Sequence, residues 1–535
     1  MLIALVTWMY AGVLCYVYGA LFFRKLPVSL TTLAGLVVLT VLAEFFSLVF
    51  PISGWLHLLL IGGAVALVAT RRIEFPSVRE LFPGNTRFLN AVAWLVLLLA
   101  FLLVLENATR RPANPDTNGY HAQAIRWIET YPAVPGLGNL HGRLAFNSAW
   151  FVTNALFGLA FLGQGSFPLA AGLLTLMVLS FFWKGLVAWL AGQVSAANGL
   201  RLLFVPLTFY LLGGELSSPG TDLPVTLLAW VIAVLWVESL ERDTPYHLLL
   251  MTLLAAFAVT LKLSALPLLL FPLFSVFLQK QRLFSTALIF TVVFVPFVAR
   301  NLILSGYLLY PYPALDWFNF DWKIPAERAE EDRRAVIVYG RWVGPGEFSA
   351  PLSEWFPHWL GRQTFNRKVL FWGALLTPLA AVFYRLRPPQ LWLGWLAGYL
   401  GLCFWFFNAP DFRFGYGFLL ATLLLALTPL LLSAITRFSV CYRFGAAWLG
   451  GLLGLYLAFM LIRSFEPHTF AKRLVWPIGY DDVPVQECAL ANAPAFCAVE
   501  YGFCGYHELP CVPSPRYWVE QRGADLRDGF RSLPR

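Results

Sequence analysis

Residues 88–105 read FLNAVAWLVLLLAFLLVL, and the polar stretch NPDTNGYHAQAIRWIE follows at 114–129. An apolar run of about 20 residues is long enough to cross a lipid bilayer as an α-helix. Charged side chains are costly inside the hydrocarbon, so the polar stretch predicts a loop at the bilayer surface. A membrane helix that ends in a charged surface loop is therefore the unit from which we predict the fold.

The same pattern repeats along the 535-residue chain, which is 59% hydrophobic and 13% charged. A soluble domain carries about twice that charged fraction. We therefore predict an all-α polytopic membrane protein, a bundle of about 13–15 transmembrane helices. The other apolar runs are 2–22, 29–50, 54–70, 148–163, 168–190, 199–213, 222–240, 246–260, 264–279, 283–300, 369–384, 390–407, 417–435 and 444–463.

Short basic loops, such as 280–282, indicate the cytoplasmic side of the membrane. Counting helices from these loops predicts that 106–147, 301–368, 408–416 and the tail from 464 lie outside.

The chain divides into three predicted parts. Residues 1–87 form an N-terminal extension of three transmembrane helices, 88–463 form the main membrane body, and 464–535 form an extracytoplasmic tail that contains cysteines. Over 148–213, the number of predicted membrane crossings differs by one from the number that the basic loops require. Either one apolar run there is re-entrant or one long run is two helices.

Four cysteines lie close together in the predicted tail, namely Cys488, Cys497, Cys504 and Cys511. In an oxidising compartment they predict two disulfides, with three possible pairings. A zinc site is the less favoured alternative, because the spacing contains no C-x-x-C.

The polar stretch 114–129 has helical periodicity, with Tyr120 and Trp127 on the apolar face and His121 on the polar one. It is too short to span and predicts an interfacial helix. Asp116 lies just before its start. The aspartate is either an N-cap or a general base at the water–lipid boundary.

Further polar side chains interrupt the apolar pattern on the same side of the membrane. Arginine binds phosphate in a bidentate manner, and carboxylates accept protons or hold cations. Together these side chains predict an outer cavity for a substrate with a lipid tail and a polar head. The non-functional interpretations are arginines that contact lipid phosphates, a loop histidine whose hydrogen bonds are satisfied, and a helix N-cap at Asp222. The candidates are His121, His141, Arg143, Asp222, Lys262, Arg300, Tyr310, Tyr312, Asp411 and Arg413.

A first large outer loop with an acidic residue, followed by amphipathic juxtamembrane helices, resembles the GT-C superfamily of membrane glycosyltransferases. That class includes protein O-mannosyltransferases and aminoarabinose transferases. The stretches PDTNGYHAQAIRWIE, VPGLGNLHGRL, SGYLLYP, PDFRFG and GYHELPCVPSP also resemble an uncharacterised Leptospira-type family of bacterial membrane proteins, from about residue 88 onward.

The GT-C resemblance implies a polyprenyl-phosphate sugar donor and transfer outside the cytoplasmic membrane of a bacterium. It implies Asp116 as the catalytic base and Arg413 or Arg300, with Lys262 as an alternate, around the donor phosphate. Many members carry D-x-D or E-x-D in the first loop, whereas Asp116 stands alone, so the motif does not support a divalent cation and we expect no cofactor.

The expected partners are the lipid-linked donor, a glycan, lipid or protein acceptor, and membrane lipids, without nucleic acid. Three alternatives stay open. One is a lipid-linked polysaccharide polymerase or ligase, another is a transporter or flippase of a lipid-linked or anionic solute, and the third is a non-enzymatic scaffold for envelope assembly.

Overall fold

A computed structural model describes most of the chain. The described residues are 1–70, 72–73, 87–242, 245–279, 282–379, 390–437 and 442–533.

The chain folds as a bundle of helices joined by short 3-10 turns. The first nine helices are α1 Leu2–Phe23, α2 Val28–Ser47, α3 Gly54–Ala69, α4 Arg87–Ala108, α5 Ala122–Thr130, α6 Ala149–Phe157, α7 Ala170–Leu190, α8 Ala196–Leu212 and α9 Asp222–Glu241. They are followed by α10 Pro245–Leu261, α11 Leu270–Gln279, α12 Leu283–Ser305, α13 Ala326–Arg341, α14 Leu352–Gly361, α15 Phe365–Leu375, α16 Gln390–Asn408, α17 Phe412–Arg437, α18 Tyr442–Ser464 and α19 Pro467–Arg473.

Ten helices in the described part of the chain are long and apolar enough to cross a membrane, which confirms the all-α polytopic class. Ten is fewer than the predicted 13–15, because four predicted spans form helices of fewer than 18 residues. A fifth predicted span, 369–384, lies partly outside the described residues. The four shorter ones correspond to the runs 54–70, 148–163, 246–260 and 264–279.

The short helix α6 accounts for the crossing that the sequence could not place. It has nine residues, which at about 1.5 Å per residue is less than half the thickness of the hydrocarbon core. At its start the Ser148 hydroxyl donates to the carbonyl of Leu261, 2.8 Å away. Beyond its end, Gly158 lies against Ser166 and the carboxylate of Glu129. The run 148–163 therefore does not form a helix of spanning length.

The N-terminal helices pack into the bundle. A Cβ atom at Gly35 would lie 1.6 Å from the carbonyl oxygen of Cys15, so the backbones of α1 and α2 touch. Ser47 at the end of α2 accepts a hydrogen bond from Arg300 of α12, 2.7 Å away. The predicted extension 1–87 is thus joined to the main body by packing and by polar contacts.

The tail departs from the all-α prediction, because it contains short strands. Strands β1 Val485–Ala489 and β2 Pro494–Ala498 are antiparallel, and β2 pairs in parallel with β3 Cys511–Val512. Strands β4 Val519–Gln521 and β5 Phe530–Ser532 form a second antiparallel pair.

Both predicted disulfides are present in the tail. They join neighbours in the sequence, Cys488 to Cys497 and Cys504 to Cys511. The first links β1 to β2, so it closes the hairpin of a segment too small for a large core of its own.

One end of the bundle carries most of the long loops and the tail, and we call it the loop face. Hydrogen bonds tie these segments to one another, as between Asn114 and Ser218, Asn139 and Trp322, and Arg522 and Asp321. The loop face consists of 109–148, 213–221, 306–364, 409–411 and 465–533.

Candidate functional site

Asp116 lies at the start of a π-helical turn, Thr117–His121, that leads into α5. Its side chain makes no capping hydrogen bond to this turn, so the N-cap interpretation is not supported. Instead, its backbone N–H donates to the side-chain oxygen of Asn114, 3.0 Å away. The partly exposed carboxylate is therefore not engaged in holding the helix start.

The loop before Asp116 is held by the α8–α9 connection. The backbone N–H of Asn114 donates to the Ser218 hydroxyl at 3.1 Å, and its side-chain amide donates to the Glu215 carboxylate at 3.0 Å. These two bonds fix the backbone two residues before Asp116.

The tail holds the same loop on both sides of Asp116. The carboxylate of Asp481 accepts hydrogen bonds from Arg111 and, at 2.9 Å, from the side-chain amide of Asn118. In addition, the backbone N–H of Gly505 donates to the carbonyl of Asn118 at 3.0 Å. The position of Asp116 therefore depends on contacts that are distant in sequence.

Lys262 occupies a break between α10 and the following 3-10 turn, in extended conformation. Its ammonium forms an ion pair with Asp222 in the first turn of α9, where the helix dipole favours a carboxylate. The same ammonium lies 3.3 Å from the ring centre of Phe414. The lysine side chain remains 25% exposed, so it can still meet a ligand.

Arg413 stands beside this pair, at the start of α17. Its guanidinium donates to the Tyr339 hydroxyl at 2.7 Å and lies 3.6 Å from a carboxylate oxygen of Asp411. The Asp411 carboxylate also accepts the backbone N–H of Arg413 at 2.9 Å. The arginine side chain is 25% exposed, like that of Lys262.

The electrostatics of Tyr339 show that these groups share one neighbourhood. Burial raises the pKa of its phenol, and the guanidinium of Arg413 opposes that rise. The carboxylates of Asp411, Asp116 and Asp222 raise the pKa further. Asp116 from the first long loop and Arg413 from α17 thus act on the same hydroxyl.

A histidine and a tyrosine line the other side of Asp116. Burial raises the pKa of Tyr120, and the Asp116 carboxylate raises it further. The Arg143 guanidinium lies 5.5 Å from the ring centre of Tyr120. Burial lowers the pKa of His121 to about 3, although Asp222 opposes the shift, so its imidazole is neutral at physiological pH.

We call this assembly the Asp116 cluster. Most of its members were predicted from the sequence, and they come from five separate segments of the loop face and adjoining helix ends. It contains four carboxylates and three cations, and two of these cations, Lys262 and Arg413, are partly exposed. Its members are Asp116, Tyr120, His121, Arg143, Glu215, Asp222, Lys262, Tyr339, Asp411 and Arg413.

Arg300, predicted as an alternate phosphate ligand, has other partners. Its side chain is buried, and it donates to Ser47 at 2.7 Å and to the side-chain oxygen of Asn147 at 3.3 Å. The cavity beside it measures about 20 Å³, enough for roughly one water molecule. A sugar phosphate does not fit there, so the geometry leaves Arg413 and Lys262 as the candidates.

Three other predicted residues are not members of the Asp116 cluster. The Tyr310 hydroxyl donates to Asp332 of α13, and Tyr310 packs with Tyr307 in a small core of its own. Burial lowers the pKa of His141 to about 3, which makes it a neutral side chain. Tyr312 is 39% exposed. None of the three has a contact with Asp116 among those described.

The sequence analysis missed two residues that shape the cluster. Tyr339 lies in the last turn of α13, and Asp481 lies in the tail. Both occur in segments predicted to be outside, but nothing in the local pattern distinguishes them from their neighbours. In the described part of the chain, no group of three or more His, Cys, Asp or Glu side chains is placed to hold a metal ion.

The fold defines a multi-pass helical membrane protein with a polar cluster at one end of its bundle. The chain belongs to the family described as Domain of unknown function (DUF8201), whose model matches residues 1–420. That range includes α1–α3 and every member of the Asp116 cluster, but not the tail. Neither the curated proteins nor the solved structures contain a match to the chain.

A buried carboxylate at the junction of α5 and the tail predicts a pH-dependent stability. Glu129 accepts hydrogen bonds from Ser166 at 2.7 Å and from Tyr506 of the tail. Burial raises its pKa from 4.5 to about 7, against those hydrogen bonds. The folded state then binds more protons than the unfolded state between these values, so stability falls as pH rises through this window.

We expect the midpoint of thermal unfolding of the wild-type protein to decrease as the pH rises from about 5 to about 7, which lies between the usual pKa of a glutamate and that of Glu129. The Glu129→Gln variant, which cannot ionise, should lose this part of the slope. A thermal unfolding series over pH measures both proteins. Parallel curves for the two would show that Glu129 does not titrate in this range.

Proposed function

We propose that this protein is a membrane glycosyltransferase of the GT-C type. It would move a sugar from a polyprenyl-phosphate donor to an acceptor on the extracytoplasmic side of the bacterial cytoplasmic membrane. The observation that carries the proposal is that Asp116, Arg413 and Lys262 surround the same side chains at the ends of membrane helices. Asp116 and Arg413 both act electrostatically on Tyr339, and Arg413 and Lys262 both act on His121. The Asp116 carboxylate has no capping role, and the two cations are partly exposed.

The proposed reaction is an inverting displacement at the anomeric carbon. The acceptor hydroxyl gives its proton to the Asp116 carboxylate while its oxygen bonds to that carbon. The bond from the sugar to the phosphate oxygen breaks, and polyprenyl phosphate leaves with the electron pair. Arg413 and Lys262 stabilise the negative charge that develops on the leaving phosphate.

The remaining members of the cluster would position these groups. The Tyr339 hydroxyl and the Asp411 carboxylate orient the guanidinium of Arg413, and Asp222 with the ring of Phe414 orients Lys262. An arriving phosphate competes with the carboxylates of these ion pairs for the two cations. Preorganised donors that need little rearrangement are the largest contribution in many enzymes.

A lipid-linked substrate fits the location of the cluster. Asp222 and Arg413 lie at the first turns of α9 and α17, both of which qualify as membrane spans. A phosphate bound near these helix ends would lie at the level of the lipid head groups, and a polyprenyl chain could extend between helices.

A transporter of a lipid-linked or anionic solute is the second candidate. The helix break at Lys262 favours it, because transporters place interrupted helices and charges at their binding sites. It differs from the first proposal in one observable, since transport moves the solute across proteoliposomes without forming a new glycosidic bond.

Neutralising the proposed phosphate ligands tests the donor site. We expect Arg413→Gln to weaken the binding of polyprenyl-phosphate sugars by about 10- to 100-fold, because a hydrogen bond to a charged group is worth about 1.5–3 kcal/mol. Lys262→Gln should have a similar effect. Binding to the protein in nanodiscs is measured over a panel of lipid-linked sugars, and transfer by release of polyprenyl phosphate.

The matched control is Arg362→Gln, because that exposed arginine lies on the same face and packs on Trp342. It should bind the donor like the wild type. Equal losses in all three variants would indicate a general effect of surface charge, and unchanged binding in the first two would overturn the donor site.

A further inference from the structure

An aromatic stretch on the loop face lies outside the Asp116 cluster. Residues 316–322 read DWFNFDW and run as an extended loop after α12. We call its four rings, Trp317, Phe318, Phe320 and Trp322, the aromatic platform.

Three of these rings form a stack. Phe318 and Phe320 have ring centres 5.7 Å apart and planes 15° from parallel. Phe320 and Trp322 are 4.5 Å apart at 10°. The guanidinium of Arg522, from the tail, continues the stack at 4.9 Å from the Trp322 ring. The ring planes of Phe318, Phe320 and Trp322 are thus nearly parallel.

Polar contacts hold this arrangement in place. The Trp322 indole donates to the carbonyl of Leu302 at 3.2 Å, and the Asn139 amide donates to the carbonyl of Trp322 at 2.8 Å. Arg522 binds the two carboxylate oxygens of Asp321 at 2.8 and 3.1 Å. A surface fixed before its ligand arrives loses less conformational entropy on binding.

Internal packing does not account for the whole platform. Trp317 takes no part in the stack and is 74% exposed, and Phe318 is 40% exposed. Large apolar rings exposed together commonly mark a binding surface. The question is therefore which ligand covers them.

The charges beside the rings favour a sugar over a lipid surface. Asp316, Asn319 and Asp321 lie among the aromatic residues, and the neighbouring cations are paired, Lys323 with Asp316 and Arg522 with Asp321. Anionic membrane surfaces attract Lys and Arg, so a stretch with two aspartates is poorly suited to them. A sugar ring presents a C–H face to the negative face of an aromatic ring and hydroxyls to carboxylates and amides.

We propose that the aromatic platform binds the sugar rings of a neutral glycan, the acceptor of the proposed transfer. The acceptor role rests on the proposed function, whereas glycan binding does not. The platform and the Asp116 cluster lie on the same loop face, so a chain held by the first can present a hydroxyl to the second.

Glycan binding is tested on the full-length protein in nanodiscs by saturation-transfer NMR and calorimetry. The probes are maltopentaose, cellopentaose, chitopentaose and mannopentaose. We expect at least one probe to bind the wild type, and Trp317→Ala to weaken that binding by about tenfold, or about 1.4 kcal/mol, because the ring contact is lost. Trp317→Phe, which keeps a ring, should stay within about threefold.

Trp448→Ala is the matched control, because Trp448 is 72% exposed near the start of α18, a helix whose other end leads into the tail on the loop face. It should leave glycan binding unchanged. The proposal is overturned if no probe binds, if Trp317→Ala binds like the wild type, or if both alanine variants lose binding equally. Glycan binding without sugar transfer would support the platform and reject the proposed enzyme. Sugar transfer that is insensitive to Trp317 would support the enzyme and reject the platform as its acceptor site.

Discussion

Replacing Asp116 with asparagine is expected to lower the rate of sugar transfer by about 10²- to 10⁴-fold, the usual contribution of a general base. Asparagine has nearly the same shape but cannot accept the proton of the acceptor hydroxyl. The loss should appear in kcat, with the KM for the donor little changed, because Arg413 and Lys262 still bind its phosphate. Steady-state kinetics with a lipid-linked sugar measure both constants.

The fold should tolerate this change. The Asp116 side chain makes no capping bond, so the thermal midpoint of the variant should match that of the wild type. Asp482→Asn, an exposed acid in the tail, serves as the matched control and should transfer normally. Asp116→Asn enzyme that retains more than about a third of the wild-type rate would remove Asp116 from the role of base.

The second large effect concerns stability. Arg473 ends α19 with its side chain completely buried and pairs with Glu106 of α4 at 2.8 Å. It also donates to the carbonyl of Glu106 at 2.9 Å and to the Thr109 hydroxyl at 3.2 Å. Arg473→Met removes this donor from all of these acceptors, and the Glu106 carboxylate keeps only its hydrogen bond from Arg110 among those described, at 3.2 Å. Breaking a buried pair costs about 3–5 kcal/mol. We therefore expect a large fall in the midpoint of thermal unfolding.

A second tail arginine provides the comparison. Arg527 is 65% exposed and pairs with Asp525 two residues away, so Arg527→Met should leave the unfolding midpoint nearly unchanged. Thermal unfolding of the detergent-purified variants measures both. A fall for Arg473→Met no larger than that for Arg527→Met would show that the buried pair does not anchor the tail to the membrane helices.

Much of the bundle follows from apolar runs, because a membrane helix needs about 20 apolar residues and little else. Helix α6 shows the limit of this reasoning. Its run, 148–163, looks like a span by composition, but the 3-10 turn at 160–162 and the contact of Gly158 with Glu129 keep it short. The strands of the tail could not be predicted from short Cys- and Pro-containing segments that pair across a hairpin.

The candidate site was predictable in part. Asp222, Lys262 and Arg413 stand out in apolar surroundings, where a charge is rare and usually paired or functional. Arg300 carries the same signal, yet Ser47 and Asn147 bind it inside the bundle. A sequence does not distinguish these two outcomes, because they depend on which helices pack together.

Tyr339 illustrates the same difficulty from the other side. It lies on a helix rich in charges, and the packing of Gly340 against Ala409 brings it to Arg413. Asp481 reaches the loop of Asp116 across more than 350 residues of sequence. Contacts at this separation depend on the completed fold and carry no local signature.

The most direct test is a structure of the protein in nanodiscs with added polyprenyl phosphate. We expect phosphate density within hydrogen-bonding distance of Arg413 and Lys262, on the side that faces Asp116, with room for a sugar between them. Phosphate density elsewhere, or none at saturating lipid, would contradict the account and reduce the Asp116 cluster to a polar support of the loop face.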